Sequence, residues 1–239
     1  MKSQIVMENW EGKHNQSDYQ SRLATEGLYK DRSTICIVPT RGVIPAKVVQ
    51  NWLGFMTPMN QKFMRMFMIG LEVGEAYEQA ITAILENPEL KNWKYILTVE
   101  EDNLLPPDGL LKLYNAIDEG YDAVGGLYWT KGEAGQPMCY GDPNVFPLNF
   151  IPQIPKPESI TRCNGLGMGF TLFKMDIFKE GKIERPFFKT LQTYDPATGG
   201  ASYTQDLYFF EKASKAGYKF GCDSRVRVGH YDLQNDFTW

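Results

Sequence analysis

The 239 residues carry a net charge of -4, with 43% hydrophobic and 23% charged side chains. This balance is ordinary for a globular protein large enough to bury a core, and its negative sign disfavours general nucleic-acid binding. No apolar run approaches the roughly 18 residues of a membrane span and no signal peptide is recognised, so we expect a soluble, cytoplasmic protein.

Four cysteines are scattered along the chain without a CxxC pair: Cys36, Cys139, Cys163 and Cys222. The first and last of them lie in apolar, strand-like runs. We therefore expect buried free thiols rather than a disulfide framework or a zinc site.

The first part of the chain alternates strands with helices. Residues 1–30 are polar and lack sustained periodicity, which predicts an extension that packs on the domain or stays mobile. Apolar residues between 73 and 85 recur at helical spacing, the clearest amphipathic pattern in the sequence. The predicted elements are a strand at 33–38, a helix at 45–52, a strand at 63–69 and a helix at 73–85.

Three acids follow directly after an apolar strand. Tyr95–Val99 has the composition of a strand buried on both faces, and Glu100, Glu101 and Asp102 come next. Carboxylates are costly to bury unless they are paired or bind a metal, and open α/β folds bind ligands at the carboxyl edge of the sheet. In an extended chain Glu100 and Asp102 point to the same side, about 7 Å apart. The pattern predicts a site for one cation, or for one cation and a sugar hydroxyl.

The second half is less regular. Residues 130–160 and 181–203 are punctuated by Gly and Pro, and we expect long loops there. The other predicted elements are a helix from 108 to about 120, strands at 121–129, 169–173, 218–222 and 225–228, a helix at 207–216, and a tail from 230. The alternation before residue 120 predicts an α/β fold whose mostly parallel sheet carries helices on both faces.

Other polar residues allow both a functional and a structural interpretation. His230 follows the last predicted strand; a lone histidine is usually structural, and a ligand role requires it to lie beside Asp102. Asp206 follows Thr204 at a predicted helix start, where it can stabilise the helix or act as a general base. Arg41 follows the first strand, and this position fits either a nucleotide contact or an ordinary surface arginine.

A glycine-rich run covers residues 164–169, with the sequence NGLGMG. It precedes a strand instead of opening a helix, so it lacks the context of a phosphate-binding loop. Close backbone approach to a ligand, or plain turn geometry, fits the pattern better.

Taken together, these features resemble the nucleotide-sugar-dependent glycosyltransferases of the GT-A fold, particularly glycosyltransferase family two and its relatives. VEEDNLLPPD at 99–108 is similar to the family's strand that ends in an aspartate-any-aspartate motif. The segments at 165–174, 204–218 and 225–230 resemble its acceptor-side strand, the helix that carries its base, and the closing strand with a metal-binding histidine. Glu100 replaces the usual first aspartate, Gln205 stands where an acid is usual, and the aspartate–glycine–serine signature is missing.

The resemblance spans about residues 33–231 and implies a three-layer, Rossmann-like α/β/α sandwich. It implies one domain over 1–239, with an N-terminal extension (1–32), a nucleotide-binding half (33–103) and an irregular acceptor-side half (104–239). The implied activity is the metal-dependent transfer of a sugar from a nucleoside diphosphate sugar, UDP-sugars first, to an acceptor hydroxyl.

The resemblance also implies a role for each candidate residue. Asp206 would be the base of an inverting reaction, although retention stays open. The cofactor would be Mn²⁺ or Mg²⁺, held by Asp102 and His230. Residues near the nucleotide sugar would be Pro39, Thr40, Arg41, Glu100 and Glu101. Residues on the acceptor side would be Trp129, Gly167 and Gln205, with Tyr194 in one of the two long loops.

Two other functions remain open from the sequence. A sugar-phosphate nucleotidyltransferase also uses an α/β sheet and a divalent ion, but its first loop should be longer and richer in glycine than residues 39–42. A catalytically inactive GT-A-like domain could serve as a carbohydrate-binding or structural module. The acceptor and the oligomeric state cannot be read from the sequence.

Overall fold

The computed structural model describes residues 4–7, 30–195 and 199–239. Its strands are β1 (Gln4–Met7), β2 (Thr34–Thr40), β3 (Phe63–Ile69), β4 (Tyr95–Val99), β5 (Asn103–Leu104), β6 (Ala123–Leu127), β7 (Cys139–Tyr140), β8 (Ile160–Cys163), β9 (Gly165–Leu166), β10 (Phe170–Lys174), β11 (Leu191–Asp195), β12 (Gly199–Tyr203), β13 (Phe220–Arg227), β14 (Gly229–Asp232) and β15 (Phe237–Thr238). Its α-helices are α1 (Ala46–Leu53), α2 (Val73–Glu86), α3 (Gly109–Ile117), α4 (Asp176–Lys179) and α5 (Gln205–Lys215).

Eight strands form the central sheet, in the order β1-β3-β2-β4-β10-β6-β13-β8. Strand β2 is parallel to both of its neighbours, and β6 is parallel to β13. Strand β10 lies antiparallel between β4 and β6, so β4 and β6 point in the same direction. Five of the eight strands (β2, β3, β4, β6 and β13) therefore run one way. The predicted fold class, a Rossmann-like α/β sandwich with a mostly parallel sheet, is confirmed.

The strands alternate their side chains between two hydrophobic cores, as the pleat of a sheet requires. In β2, Ile35 and Ile37 enter one core, while Cys36 and Val38 enter the other. Helices α2 and α5 cover the first core, and α3, with Trp52 of α1, covers the second. The sheet is therefore the middle layer of three, and it is buried on both faces.

The C-terminal region departs from the sequence prediction. Residues 218–228, predicted as two strands, contain one long strand, β13. Its register with β6 shifts between Asp223 and Arg227, and at this polar centre the fully buried Asp223 carboxylate accepts two hydrogen bonds from the Arg225 guanidinium, both 2.8 Å long. The predicted tail forms β14 and β15, and the predicted loop at 181–203 contains the hairpin β11–β12.

The N-terminal extension contributes β1, which pairs antiparallel with the edge of β3; residues 1–3 and 8–29 lie outside the described residues. The four cysteines are buried free thiols, as predicted. In the described part of the chain, no helix is both long enough and apolar enough to cross a membrane.

Candidate nucleotide-sugar and metal site

An open cavity of about 460 Å³ lies where β2 and β4 end. Parallel strands bring their carboxyl ends to one edge of the sheet, which is where open α/β folds place their ligands. The cavity is lined by Pro39, Thr40, Arg41, Leu71, Val73, Glu100, Glu101, Asp102 and Lys131. All five residues predicted to lie near the nucleotide sugar therefore line one cavity.

Glu101 fixes the loop that follows β2. Its Oε2 accepts hydrogen bonds from the Thr40 hydroxyl at 2.6 Å and from the Arg41 backbone N–H at 2.9 Å. Its Oε1 accepts a third from Arg41 Nε at 2.6 Å. Both oxygens are thus used within the protein, so Glu101 shapes the cavity wall instead of offering a free carboxylate.

Glu100 is half-buried in the wall of the cavity. Burial raises the pKa of Glu100 to about 8, and the negative charges of Asp102 and Asp206 add to the effect. The carboxyl group is therefore mainly protonated at neutral pH, and it can donate a hydrogen bond as well as accept one.

The three acids do not continue the strand as predicted. The chain turns after Glu100, and the N–H of Asn103 donates to the Glu100 carbonyl at 3.1 Å. The extended spacing expected between Glu100 and Asp102 is therefore wrong. The turn directs the side chains differently: Glu101 reaches the β2 loop, whereas Asp102 faces residues from the second half of the chain.

Asp102 meets two basic side chains. Lys131 Nζ lies 2.6 Å from Asp102 Oδ2, and His230 Nε2 lies 3.4 Å from the same oxygen. Burial acts to raise the pKa of Asp102, but the contacts with His230 and Lys131 together outweigh it and hold the pKa below its ordinary value. Asp102 is therefore ionised at neutral pH, and His230 satisfies the requirement that it lie beside Asp102.

Backbone pairing holds His230 in place. Strand β14 pairs with β5, which places His230 opposite Asn103, and the Tyr231 N–H donates to the Asp102 carbonyl at 2.8 Å. His230 Nδ1 lies 2.8 Å from the Trp129 carbonyl oxygen, which can only accept, so Nδ1 carries the proton. In the neutral ring, Nε2 then presents its lone pair toward the Asp102 carboxylate.

This donor set fits a divalent cation. The Asp102 carboxylate and His230 Nε2 lie 3.4 Å apart, and carboxylate oxygens and imidazole nitrogens are both common ligands of divalent cations. A metal-binding histidine typically donates its other N–H to a carbonyl or carboxylate, as Nδ1 does here. Among the described residues, no group of three or more His, Cys, Asp or Glu side chains is placed to hold a metal. A cation at Asp102 and His230 would thus take its other ligands from water or from a bound molecule, as Mg²⁺ commonly does with phosphates.

Asp206 is buried in the first turn of α5 and does not line the cavity. Its Oδ1 accepts the Leu207 N–H at 2.9 Å, so it stabilises the start of the helix, whereas the Thr204 side chain makes no capping hydrogen bond. Burial raises the pKa of Asp206. The charge of Asp206 also acts on Glu100, which indicates that the two carboxyl groups are neighbours. Gln205 is buried beside Gly74.

The residues expected on the acceptor side are not gathered in one place. Trp129 is 37% exposed and lines a second cavity, of about 320 Å³, at the ends of β6 and β13. The space beside Gly167 is filled by the Tyr128 ring and Met138, so the close approach at this glycine is made by the protein itself. The side chain of Tyr194 lies outside the described residues.

Sequence reasoning missed Lys131 and Tyr128. Lys131 lies in the glycine-rich stretch that follows β6, and a single lysine there carries no motif. Tyr128 is buried behind the site; its hydroxyl accepts the Gly169 N–H at 2.8 Å, and its ring packs edge-on against His230 at 5.5 Å. The available signal was position alone: both residues follow β6 at the same edge of the sheet as the acids.

Comparison with known proteins supports the fold alone. No family model matches the chain. No curated protein matches it either. Among solved structures, 116 chains match. One of them is the crystal structure of A197 from STIV, with a TM-score of 0.59 and 21% sequence identity, over 86% of this chain and 92% of that one. A likeness at this level of identity establishes the fold alone, since one fold hosts many functions.

Proposed function

We propose that the protein is a metal-dependent glycosyltransferase that moves a sugar from a nucleoside diphosphate sugar to an acceptor hydroxyl, with UDP-sugars as the first donors to test. The observation that carries the proposal is the meeting of Asp102, which lines the 460 Å³ cavity, with His230, which lies far from it in the sequence. The cavity's position at the carboxyl edge of the sheet supports a nucleotide as its occupant.

The first half of the chain would bind the donor. Pro39, Thr40 and Arg41 would lie along the nucleoside, with the loop held in shape by Glu101. A protonated Glu100 would hydrogen-bond a ribose hydroxyl without adding negative charge near the phosphates. Asp102 and His230 would hold Mn²⁺ or Mg²⁺. When bound, the cation would supply Lewis-acid stabilisation of the negative charge that develops on the leaving diphosphate.

The second half would bind the acceptor. The exposed face of Trp129 and the 320 Å³ cavity beside it suit a sugar ring or another flat acceptor. In an inverting reaction Asp206 would take the proton of the attacking hydroxyl, for which its raised pKa makes it a stronger base. In a retaining reaction Asp206 would orient the donor or the acceptor.

One observation favours a second candidate. Asp206 is buried, lies off the cavity wall and already accepts a helix N–H. A binding module with the same fold would need no base and would keep Asp206 for structure. Such a module would bind the nucleotide sugar, or another carbohydrate, without turning it over. The nucleotidyltransferase alternative has no comparable support, since the loop after β2 is short.

The deciding experiment combines thermal melting with nucleotide release for a panel of UDP-, GDP- and other nucleotide sugars, each with Mn²⁺ and with chelator. We expect the melting temperature to rise only when Mn²⁺ and one class of nucleotide are both present, and free nucleotide to be released from that donor. Binding without release would favour the module. The absence of any shift would overturn the proposed site.

A charge-removing variant tests the metal ligand in the same assay. Asp102→Asn keeps the size of the side chain but removes the carboxylate, and we expect it to abolish the Mn²⁺-dependent shift. Asp176→Asn is a matched control, because Asp176 is an exposed carboxylate on α4 that pairs with Lys179. An unchanged metal-dependent shift in Asp102→Asn would remove Asp102 from the metal site.

A further inference from the structure

We propose that Lys131 is a ligand of the donor's diphosphate, and that in the ligand-free protein its ammonium group occupies the cation position at Asp102. The inference rests on the proposed function and adds a residue, and an exchange of partners, that the resemblance does not contain. When a divalent cation binds to Asp102, Lys131 gives up that carboxylate and pairs with the phosphate oxygens instead.

The contact geometry supports the exchange. Lys131 Nζ is 2.6 Å from Asp102 Oδ2, the same oxygen that faces His230 Nε2 at 3.4 Å. A metal ion that ligates this oxygen at about 2.0–2.2 Å would lie within a few ångström of the ammonium group. Two positive charges at such a distance repel strongly in a partly buried site. The lysine and the cation therefore compete for Asp102.

The local backbone holds Lys131 at the rim while leaving its side chain able to swing. Lys131 lies inside a loop that Thr130 and Gln136 close: the Thr130 N–H donates to the Gln136 carbonyl at 2.9 Å, and the Gln136 N–H donates to the Thr130 hydroxyl at 2.8 Å. Its side chain is 33% exposed and borders the cavity. A lysine ammonium on a flexible four-carbon stem can change partners without a movement of the main chain.

Charge balance favours the diphosphate as its second partner. The Arg41 guanidinium is paired with Glu101, so it is already neutralised in the cavity wall. Lys131 with Asp102 is a neutral pair, and a divalent cation brings two further positive charges. A diphosphate linking a nucleoside to a sugar carries one negative charge on each phosphate, which restores neutrality. The lysine that the cation displaces then finds its hydrogen-bond acceptors on the ligand.

The test measures two affinities that should change in opposite directions. Isothermal titration would follow Mn²⁺ alone, and then UDP or GDP in the presence of Mn²⁺, in the whole chain and in Lys131→Met, which keeps the aliphatic stem. In Lys131→Met the ammonium group no longer competes for Asp102, so Mn²⁺ should bind about tenfold more tightly. Without its ammonium contact, the diphosphate should bind about 10- to 100-fold more weakly, as expected for the loss of a charged hydrogen bond.

Two control variants separate this role from a general effect of charge. Lys131→Arg keeps the positive charge and should keep nucleotide binding within a few-fold. Lys112→Met removes an ammonium group that pairs with Asp108 on the surface of α3, and both affinities should stay at the wild-type value. If Lys131→Met leaves both affinities unchanged, Lys131 is only a surface partner of Asp102 and the inference is wrong. If the wild-type chain binds neither Mn²⁺ nor a nucleotide, the proposed function itself fails, and the inference fails with it.

Discussion

At the scale of single residues, Glu100 is a cavity side chain whose pKa the fold raises well above its ordinary value. Its carboxyl group follows a fully buried strand and lies near two other acids, so burial and like charge both favour the neutral form. A neutral carboxyl group in a cavity proposed for a diphosphate avoids repulsion and still offers a hydrogen bond. The glutamate that departs from the family pattern is therefore compatible with a donor site.

The raised pKa of Glu100 predicts a pH dependence of stability. Between pH 4.5, the ordinary pKa of a glutamate, and about pH 8, the pKa of Glu100 in the folded protein, the folded chain holds a proton on Glu100 that the unfolded chain has lost. The free energy of unfolding therefore falls as the pH rises through this window. Glu100→Gln should remove this contribution and be more stable than wild type at pH 8–9, by roughly 1–3 kcal/mol after allowance for the solvent that reaches the cavity.

Urea unfolding of both proteins at a series of pH values from 4 to 9 gives the difference directly. Titrating groups that do not interact with Glu100 contribute to both proteins and cancel to first order. Glu86→Gln, at the exposed end of α2, is the matched control and should follow wild type at every pH. A difference between Glu100→Gln and wild type that does not change with pH would mean that Glu100 is ionised in the folded protein.

The sequence predicted candidate residues better than it predicted their geometry. Six predicted residues line one cavity, and the predicted pair of Asp102 and His230 is in contact. The direction of the acids was wrong because the turn after Glu100 depends on a backbone hydrogen bond that no side-chain pattern encodes. Lys131 was missed for a similar reason: its partner comes from a different strand, and a lone lysine has no periodicity.

At the scale of secondary-structure elements, the glycine run before β10 has a packing role. The Tyr128 ring and hydroxyl lie against Gly167 and Gly169, and the Tyr128 hydroxyl accepts the Gly169 N–H. Since Tyr128 also packs edge-on against His230, the glycines let the strand start close behind the candidate metal site. The close approach expected at these glycines is real, but a protein side chain makes it.

Gly167→Ala should therefore destabilise the fold. A Cβ at this position would overlap the Tyr128 hydroxyl and the Met138 side chain, and overpacking of this kind costs about 1–3 kcal/mol. Gly54→Ala is the control, because a Cβ there meets only ordinary contact with the Asn51 carbonyl and the backbone is helical. Thermal melting without ligand measures both. If Gly167→Ala melts like wild type but transfers the sugar to the acceptor more slowly, the packing role is wrong and Gly167 belongs to the acceptor site.

Elements were predictable where a single pattern controlled them. Helix α2 follows its apolar periodicity and buries one face, and strand β4 follows its continuous apolar run and buries both faces. The pattern failed in β13, where Asp223 and Arg225 satisfy each other inside a strand, and in β14, whose pairing partner β5 lies far away in the sequence. Polar residues inside a strand predict a loop when the sequence is considered alone, because the contacts that satisfy them are visible only in the fold.

At the scale of the whole molecule, the two halves defined from the sequence are interleaved. Strand β10 comes from the second half, yet it lies next to β4 of the first half and joins it to β6. Both cores also share the sheet, because neighbouring residues of β2 and β4 enter opposite cores. The candidate site also combines residues of both halves, since Asp102 comes from one half while Lys131 and His230 come from the other.

This interleaving predicts that the described fold unfolds as one cooperative unit, in keeping with the single domain expected from the sequence. Trp93 lies in one core and Trp52 packs against the other, so each can report on one face of the sheet. In two variants that keep only one of these tryptophans, the others being replaced by phenylalanine, urea unfolding followed by fluorescence and by circular dichroism should give the same midpoint within each variant. If fluorescence and circular dichroism separate in either variant, the two faces unfold independently and the halves are separate domains.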